Sequence, residues 1–170
     1  MKKSKCRFFI VRTAVILWLA AMLSTGCGHG GEEAPLQTAV PTQKSTMKTL
    51  TIYSIDSDNM TLIPVSVKKE EQKITAWYIA SLVLENLNKD DIEVTVVEKK
   101  KKKVYVSFST HGKPVQNCNK EMETLILDCF SNSILDNVKG CDQVIFRCDG
   151  NKEYRSSQYS FGLEEAYASK

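Results

Sequence analysis

The N-terminal segment constrains most strongly what this chain can fold into, because a basic stretch is followed there by an apolar one. Residues 1–7 carry the basic side chains, and an uninterrupted apolar run of 11 residues extends from Thr13 to Leu23. A membrane-spanning helix needs about 20 such residues, whereas the apolar part of a signal peptide needs roughly 7–15. We therefore interpret residues 1–26 as a signal peptide. The basic residues ahead of the apolar run predict that everything after it is exported.

Cys27 follows this run in the sequence Leu23-Ser-Thr-Gly-Cys27. A small residue and then cysteine at this place resembles the lipobox of bacterial lipoproteins, in which the cysteine carries a diacylglyceryl group. Ser24 occupies the position that is usually leucine. The alternatives are an ordinary secreted protein cut near Gly26 and an uncleaved anchor. We expect lipidation of Cys27 with palmitate-type chains, which would hold the protein on the extracytoplasmic face of the cell membrane.

The rest of the chain divides into a tether, a domain and a tail. Residues 27–48 are rich in Gly, Pro, Ser and Thr without apolar periodicity, which is typical of a flexible linker. Residues 49–150 hold the periodic segments of one domain. Residues 151–170 are polar with scattered aromatic side chains, and we expect a C-terminal tail that either adds an edge strand or frays. The net charge of +3 is too small to indicate nucleic acid as a partner.

The periodicity of residues 49–150 predicts the order β-β-α-β-β-α-β. Alternating apolar residues indicate strands at 50–55, 62–67, 92–97, 104–109 and 142–148. Pro64 cannot donate a ladder hydrogen bond, so the second strand is expected at an edge. Helical periodicity covers residues 73–88 and 119–138, with Trp77 on the apolar face of the first helix and Glu123 in the first turn of the second.

These elements predict an α+β fold, a two-layer sandwich with both helices on one face of a mixed sheet. The opposite sheet face is then partly exposed to solvent. Thr95, Tyr105 and Arg147 lie on that face and are available to contact a partner.

Five consecutive lysines, Lys99, Lys100, Lys101, Lys102 and Lys103, separate two predicted strands. We interpret them as a solvated hairpin loop whose charges discourage edge pairing. The alternative is a polybasic contact with an anionic surface, either lipid or teichoic acid.

Four cysteines fall in the domain: Cys118, Cys129, Cys141 and Cys148. Cys118 and Cys141 bracket a helix about 30 Å long and cannot meet. The last strand returns along that helix, so Cys118–Cys148 is the disulfide we consider possible in an exported chain. Paired CxxC spacing is absent, and no nucleophile motif is present. We therefore predict no enzyme, no catalytic residue, no metal and no cofactor.

Three segments of the domain resemble the GerM domain, a module of lipoproteins in spore-forming bacteria. They are Leu50-Thr-Ile-Tyr-Ser-Ile-Asp56, Val104-Tyr-Val-Ser-Phe-Ser109 and Cys141-Asp-Gln-Val-Ile-Phe-Arg-Cys-Asp-Gly150. Leu87-Asn-Lys-Asp-Asp91 departs from the Gly-Pro segment that the family often has after its first helix. The resemblance implies a fold like the ring-building modules of secretion and sporulation channels, with no catalytic residue.

We therefore expect a non-enzymatic, membrane-tethered interaction domain that supports a sporulation or germination complex of the cell envelope. Its partner would be an envelope protein or a second copy of the chain. The alternative is a lipoprotein that binds a cell-wall fragment or a small solute, although a single small domain offers no interdomain cleft.

Overall fold

The structure is a computed structural model and describes residues 47–70, 74–87 and 91–168. The predicted signal peptide, Cys27 and nearly all of the predicted tether lie outside these residues. The expected α+β class is confirmed, with two helices and mixed strand pairing in the described ranges. The elements are β1 (Met47–Asp56), β2 (Thr61–Glu70), α1 (Ala76–Leu87), β3 (Val94–Lys100), β4 (Lys103–Phe108), α2 (Lys120–Asn137), β5 (Gln143–Cys148), β6 (Lys152–Arg155) and β7 (Ser160–Phe161).

The strands form two sheets, which differs from the single mixed sheet we expected. β1 and β2 make an antiparallel hairpin, and the other strands follow the order β3-β4-β5-β6-β7. β4 and β5 run parallel and are connected through α2. The hairpin does not join the larger sheet, because the edge of β1 that faces away from β2 is hydrogen-bonded to helix α2. The N–H groups of Thr51 and Tyr53 donate to Asn137 Oδ1 (3.2 Å) and Ser133 Oγ (2.9 Å) on α2.

Helix α2 contacts both sheets and is buried almost all round from Ile126 to Ile134. Asn119 caps its start by accepting a hydrogen bond from the Met122 N–H at 2.8 Å. Toward the five-stranded sheet, Phe130 packs edge-on against Phe108 of β4, with 5.2 Å between ring centroids. Apolar residues thus face the sheet, whereas Ser133 and Asn137 face the hairpin.

Helix α1 buries Leu82 and Leu87 of the apolar face that its sequence indicated, but not Trp77. Trp77, expected to be buried, is 52% exposed. Because the helix carries apolar residues on nearly all of its faces, the sequence pattern does not predict which face is buried. The small side chains of Ala76 and Ala80 let the helix approach its neighbours closely, so their stripe faces inward. The buried residues are Ala76, Ile79, Ala80, Leu82, Val83 and Leu87.

Residues 151–168, here called the C-terminal segment, belong to the folded domain, so the predicted end at residue 150 comes too early. Tyr154 on β6 is completely buried, and its ring stacks on Phe161 of β7 at 5.3 Å. The chain then runs beside β5, where the Tyr167 N–H donates to the Val144 carbonyl at 2.8 Å. The Tyr167 hydroxyl also donates to Asp128 of α2 at 2.9 Å. The segment thereby covers the edge of β5 that the short β6 leaves open.

Candidate functional site

A buried carboxyl group lies at the start of α2. Glu123, expected among the solvent-facing carboxylates of a first helical turn, is completely buried. Its Oε1 accepts a hydrogen bond from the Tyr154 hydroxyl at 2.8 Å, whereas Oε2 has no hydrogen-bond partner in the described part of the chain. Burial raises the pKa of Glu123 above its ordinary value, and the side chains of Ser156 and Tyr154 have smaller lowering effects on it. Burial also raises the pKa of Tyr154, so its phenol stays protonated and serves as the donor.

The four domain cysteines are free thiols in the structure. Cys118 is half-buried, Cys148 is buried, and Glu123 acts electrostatically on both. The Cys118–Cys148 bridge stays a prediction. Burial raises the pKa of every one of these thiols, that of Cys129 to about 12. A thiol with a raised pKa is a weak nucleophile at neutral pH, so none of the four has the activated character that catalysis requires.

The sheet face that we expected to meet a partner is covered by the chain itself. Tyr105 and Arg147 are only 6% and 8% exposed. The Arg147 guanidinium lies 4.1 Å from the Tyr105 ring centroid and donates to the Leu163 carbonyl at 2.8–3.0 Å. The Thr95 hydroxyl is likewise occupied, since it donates to the Ser107 carbonyl. Two of the three expected contact residues are therefore structural in the folded domain.

Glu164 of the C-terminal segment accepts hydrogen bonds from three side chains on this face. Its carboxylate contacts Lys103 Nζ at 3.0 Å, the Tyr105 hydroxyl at 2.9 Å and Arg147 Nη2 at 2.8 Å. Its hydrogen bond with Lys103, and then that with Tyr105, lowers the pKa of Glu164. Three donors from two strands thus form an anion-binding site that one of the chain's own carboxylates fills. The sequence did not reveal it, because Glu164 is one polar residue in a segment without periodicity.

The lysine run lies in a β-hairpin, as expected, but its turn is shorter than the sequence indicated. β3 extends to Lys100 and β4 begins at Lys103, so the turn itself holds only Lys101 and Lys102. Lys101 adopts a left-handed backbone conformation there, with φ of 55°. The turn is fixed to the start of β5, where the Asp142 N–H donates to the Lys102 carbonyl at 2.8 Å. The lysines therefore project from an ordered hairpin.

The outer edge of β2 has no strand paired with it in the described part of the chain. The N–H groups of Thr51 and Tyr53 turn toward α2, so Ser66 and Pro64 opposite them lie in pairs that exchange no ladder hydrogen bonds. The N–H of Ser66 and the nitrogen of Pro64 therefore point away from β1. Pro64 fits an edge strand for this reason, as the sequence predicts. Ile63 beside it is 40% exposed.

The described residues contain no group of three or more His, Cys, Asp or Glu side chains placed to hold a metal ion. Cys27, the predicted lipidation site, lies outside them. No protein-family model matches the chain, and no curated protein or solved structure matches it either.

Proposed function

We propose that this protein is a membrane-anchored lipoprotein of the extracytoplasmic face whose domain binds a protein partner and performs no catalysis. Its setting is the assembly of an envelope complex in sporulation or germination, which the resemblance to GerM domains implies. Lipid on Cys27 restricts the domain to the membrane surface, and the tether gives it a reach of about 25 Å. Anchoring raises the effective concentration of the domain for a partner at the same surface.

One observation carries the proposal: the outer edge of β2 offers backbone hydrogen-bonding groups with no strand beside them in the described part of the chain. By the alternation of the ladder, the N–H groups of Leu62, Ser66 and Lys68 point outward. Pro64 interrupts the row, which disfavours pairing along the full length of the strand. The half from Val65 to Glu70 keeps its donors. An extended segment of a partner adding to that half would form a third strand of the hairpin sheet.

The chemistry of the domain supports a binding role. Two of its buried ionisable side chains have structural partners, since Tyr154 donates to Glu123 and Arg147 donates to the carbonyl of Leu163 in the C-terminal segment. The thiols have raised pKa values and do not pair with a histidine base in the described residues. The outer edge of β2 is a surface that stays available to another macromolecule.

The test replaces Ser66 by proline in the full chain, in cells that lack the wild-type copy. Ser66→Pro removes an outward donor without breaking the β1–β2 ladder, and Ser66→Ala is the matched control. We expect Ser66→Pro to abolish co-purification of the envelope partner and to reproduce the sporulation or germination defect of the deletion strain, whereas Ser66→Ala retains both functions. Normal spores and normal germination in the deletion strain, with no partner captured by the wild-type chain, would contradict the proposal.

A further inference from the structure

A cleft beside the β3–β4 turn gathers the lysines around an aromatic side chain. Its volume is about 520 Å³, and it is called the lysine cleft below. Its walls come from strand ends that are hydrogen-bonded to one another, so the cleft is preformed. The lining residues are Lys100, Lys101, Lys102, Lys103, Tyr105, Asp142 and Gln143.

The positive charge around the cleft exceeds the negative charge that pairs with it. Three of the lysines have single carboxylate partners: Lys100 with Glu98 (2.8 Å), Lys102 with Asp142 (2.8 Å) and Lys103 with Glu164 (3.0 Å). Lys99 and Lys101 have no carboxylate within ion-pair distance in the described part of the chain. Lys99 Nζ instead donates to the Lys101 carbonyl at 2.9 Å.

The carboxylates of the three existing pairs are exposed to solvent. The side chains of Lys100 and Glu98 are 57% and 47% exposed, and that of Glu164 is 60% exposed. Exposed ion pairs contribute little to the stability of the fold. An incoming anion can therefore replace these carboxylates as the partner of the lysine ammonium groups at a small cost in free energy. Glu164 already shows that this sheet face binds an oxyanion.

We propose that the lysine cleft binds the phosphate group of a ligand. Each ammonium group has three N–H donors, and a phosphate has three or more oxygens and as many as two negative charges. One phosphate can therefore bridge ammonium groups that the protein's carboxylates satisfy only singly. Lys100 and Lys101 would supply the principal contacts, and Lys103 would join them on release from Glu164. A soluble phosphate ester and a phospholipid headgroup share this chemistry. The proposal does not depend on the function proposed above.

The experiment titrates the full chain in non-ionic detergent, at constant ionic strength, and follows backbone amide chemical shifts at Lys101 and Gln143. One arm uses inorganic phosphate and glycerol 3-phosphate, with chloride as the control anion. The other arm dopes the micelles with phosphatidylglycerol. The double variant Lys100→Ala/Lys101→Ala removes two cleft charges. Its matched control, Lys48→Ala/Lys139→Ala, removes two exposed lysines elsewhere in the domain.

We expect saturable shifts at the cleft, weakened at least about tenfold by the cleft variant and unchanged in the control. Glu164→Gln should tighten binding severalfold, because it removes the competing carboxylate. Saturation by the soluble esters alone identifies a soluble ligand, and saturation by the lipid alone identifies a headgroup. Absence of saturation in both arms, or equal weakening in both double variants, overturns the proposal.

Discussion

The hydroxyl of Tyr154 on β6 donates a 2.8 Å hydrogen bond to Oε1 of Glu123 on α2, and both side chains are completely buried. This bond joins the C-terminal segment to the first turn of the helix that contacts both sheets. Burying a carboxyl group without a hydrogen-bond donor lowers the stability of the fold. The Tyr154 hydroxyl therefore stabilises the domain through this hydrogen bond, in addition to the packing of its ring. The segment after residue 150 is thereby part of the structural core of the domain.

Tyr154→Phe should destabilise the domain by about 1–3 kcal/mol, because it keeps the ring but leaves Glu123 without its donor. Tyr53→Phe is the matched control, since the Tyr53 hydroxyl donates to Asp136 at the surface. We expect the control to cost less than about 1 kcal/mol. Urea denaturation of the two variants measures both free energies of unfolding. An equal loss in free energy of unfolding in the two variants would show that the buried hydrogen bond stabilises the domain no more than the exposed one.

The pH dependence of stability should reveal the raised pKa of Glu123. Burial lifts this pKa above the ordinary value of 4.5, so the folded state binds a proton that the unfolded state has released. The stabilisation that the raised pKa of Glu123 adds to the folded state is fully present below pH 4.5. It is lost as the pH rises through the pKa that Glu123 has in the folded state. Within that window the free energy of unfolding should fall by at most about 1.4 kcal/mol per pH unit.

Glu123→Gln removes this titration and leaves the other groups in place. We expect the stability difference between wild type and variant to be constant below pH 4.5 and to shift in favour of the variant above it. Denaturation curves collected from pH 4 to about 8 provide the measurement. Parallel stability curves for the two proteins across that range would refute a raised pKa.

Removing residues 151–170 should unfold the domain. The deletion takes away Tyr154 and the rings of Phe161 and Tyr167, which pack on one another and on Phe146. Losing one buried aromatic side chain typically lowers the free energy of unfolding by about 3–5 kcal/mol. The free energy of unfolding of a whole domain is only about 5–15 kcal/mol. Removing residues 169 and 170 alone is the control. Thermal unfolding followed by circular dichroism should show a cooperative transition for the control only, and a retained transition in the longer deletion would count against this role.

The sequence predicted the features that depend on local patterning. Alternation indicated strand segments that overlap β1 to β5 but not β6 or β7, the second helix was expected to begin at Asn119, and Pro64 indicated an edge strand. These succeeded because each follows from a backbone preference or a short-range hydrogen bond.

The features that the sequence missed depend on long-range contacts. Nothing near Thr51 indicates that its N–H is satisfied by Asn137, so the separation of the hairpin from the main sheet was not predictable. Glu123 resembles any first-turn carboxylate until Tyr154 is placed beside it. The aromatic residues of the C-terminal segment were the available signal that it folds, but they lacked periodicity.

Replacing Cys27 by alanine should release the protein from the membrane or leave its signal peptide uncleaved, because the lipid would no longer attach. Cys6→Ala is the control, since Cys6 lies among the basic residues ahead of the apolar run. Metabolic labelling with a palmitate analogue, followed by membrane fractionation, distinguishes the variants. We expect label in wild type and Cys6→Ala but not in Cys27→Ala. Equal labelling of the two variants would place the lipid elsewhere.

We propose above that the outer edge of β2 contacts another protein at the membrane surface. The most direct measurement places a photo-crosslinking amino acid at position 68 of the full chain in living cells, with position 139 as an exposed control site. We expect a discrete adduct with an envelope protein or a second copy at position 68, lost with Ser66→Pro and absent at position 139. No adduct at position 68, or the same adduct at both positions, would contradict it.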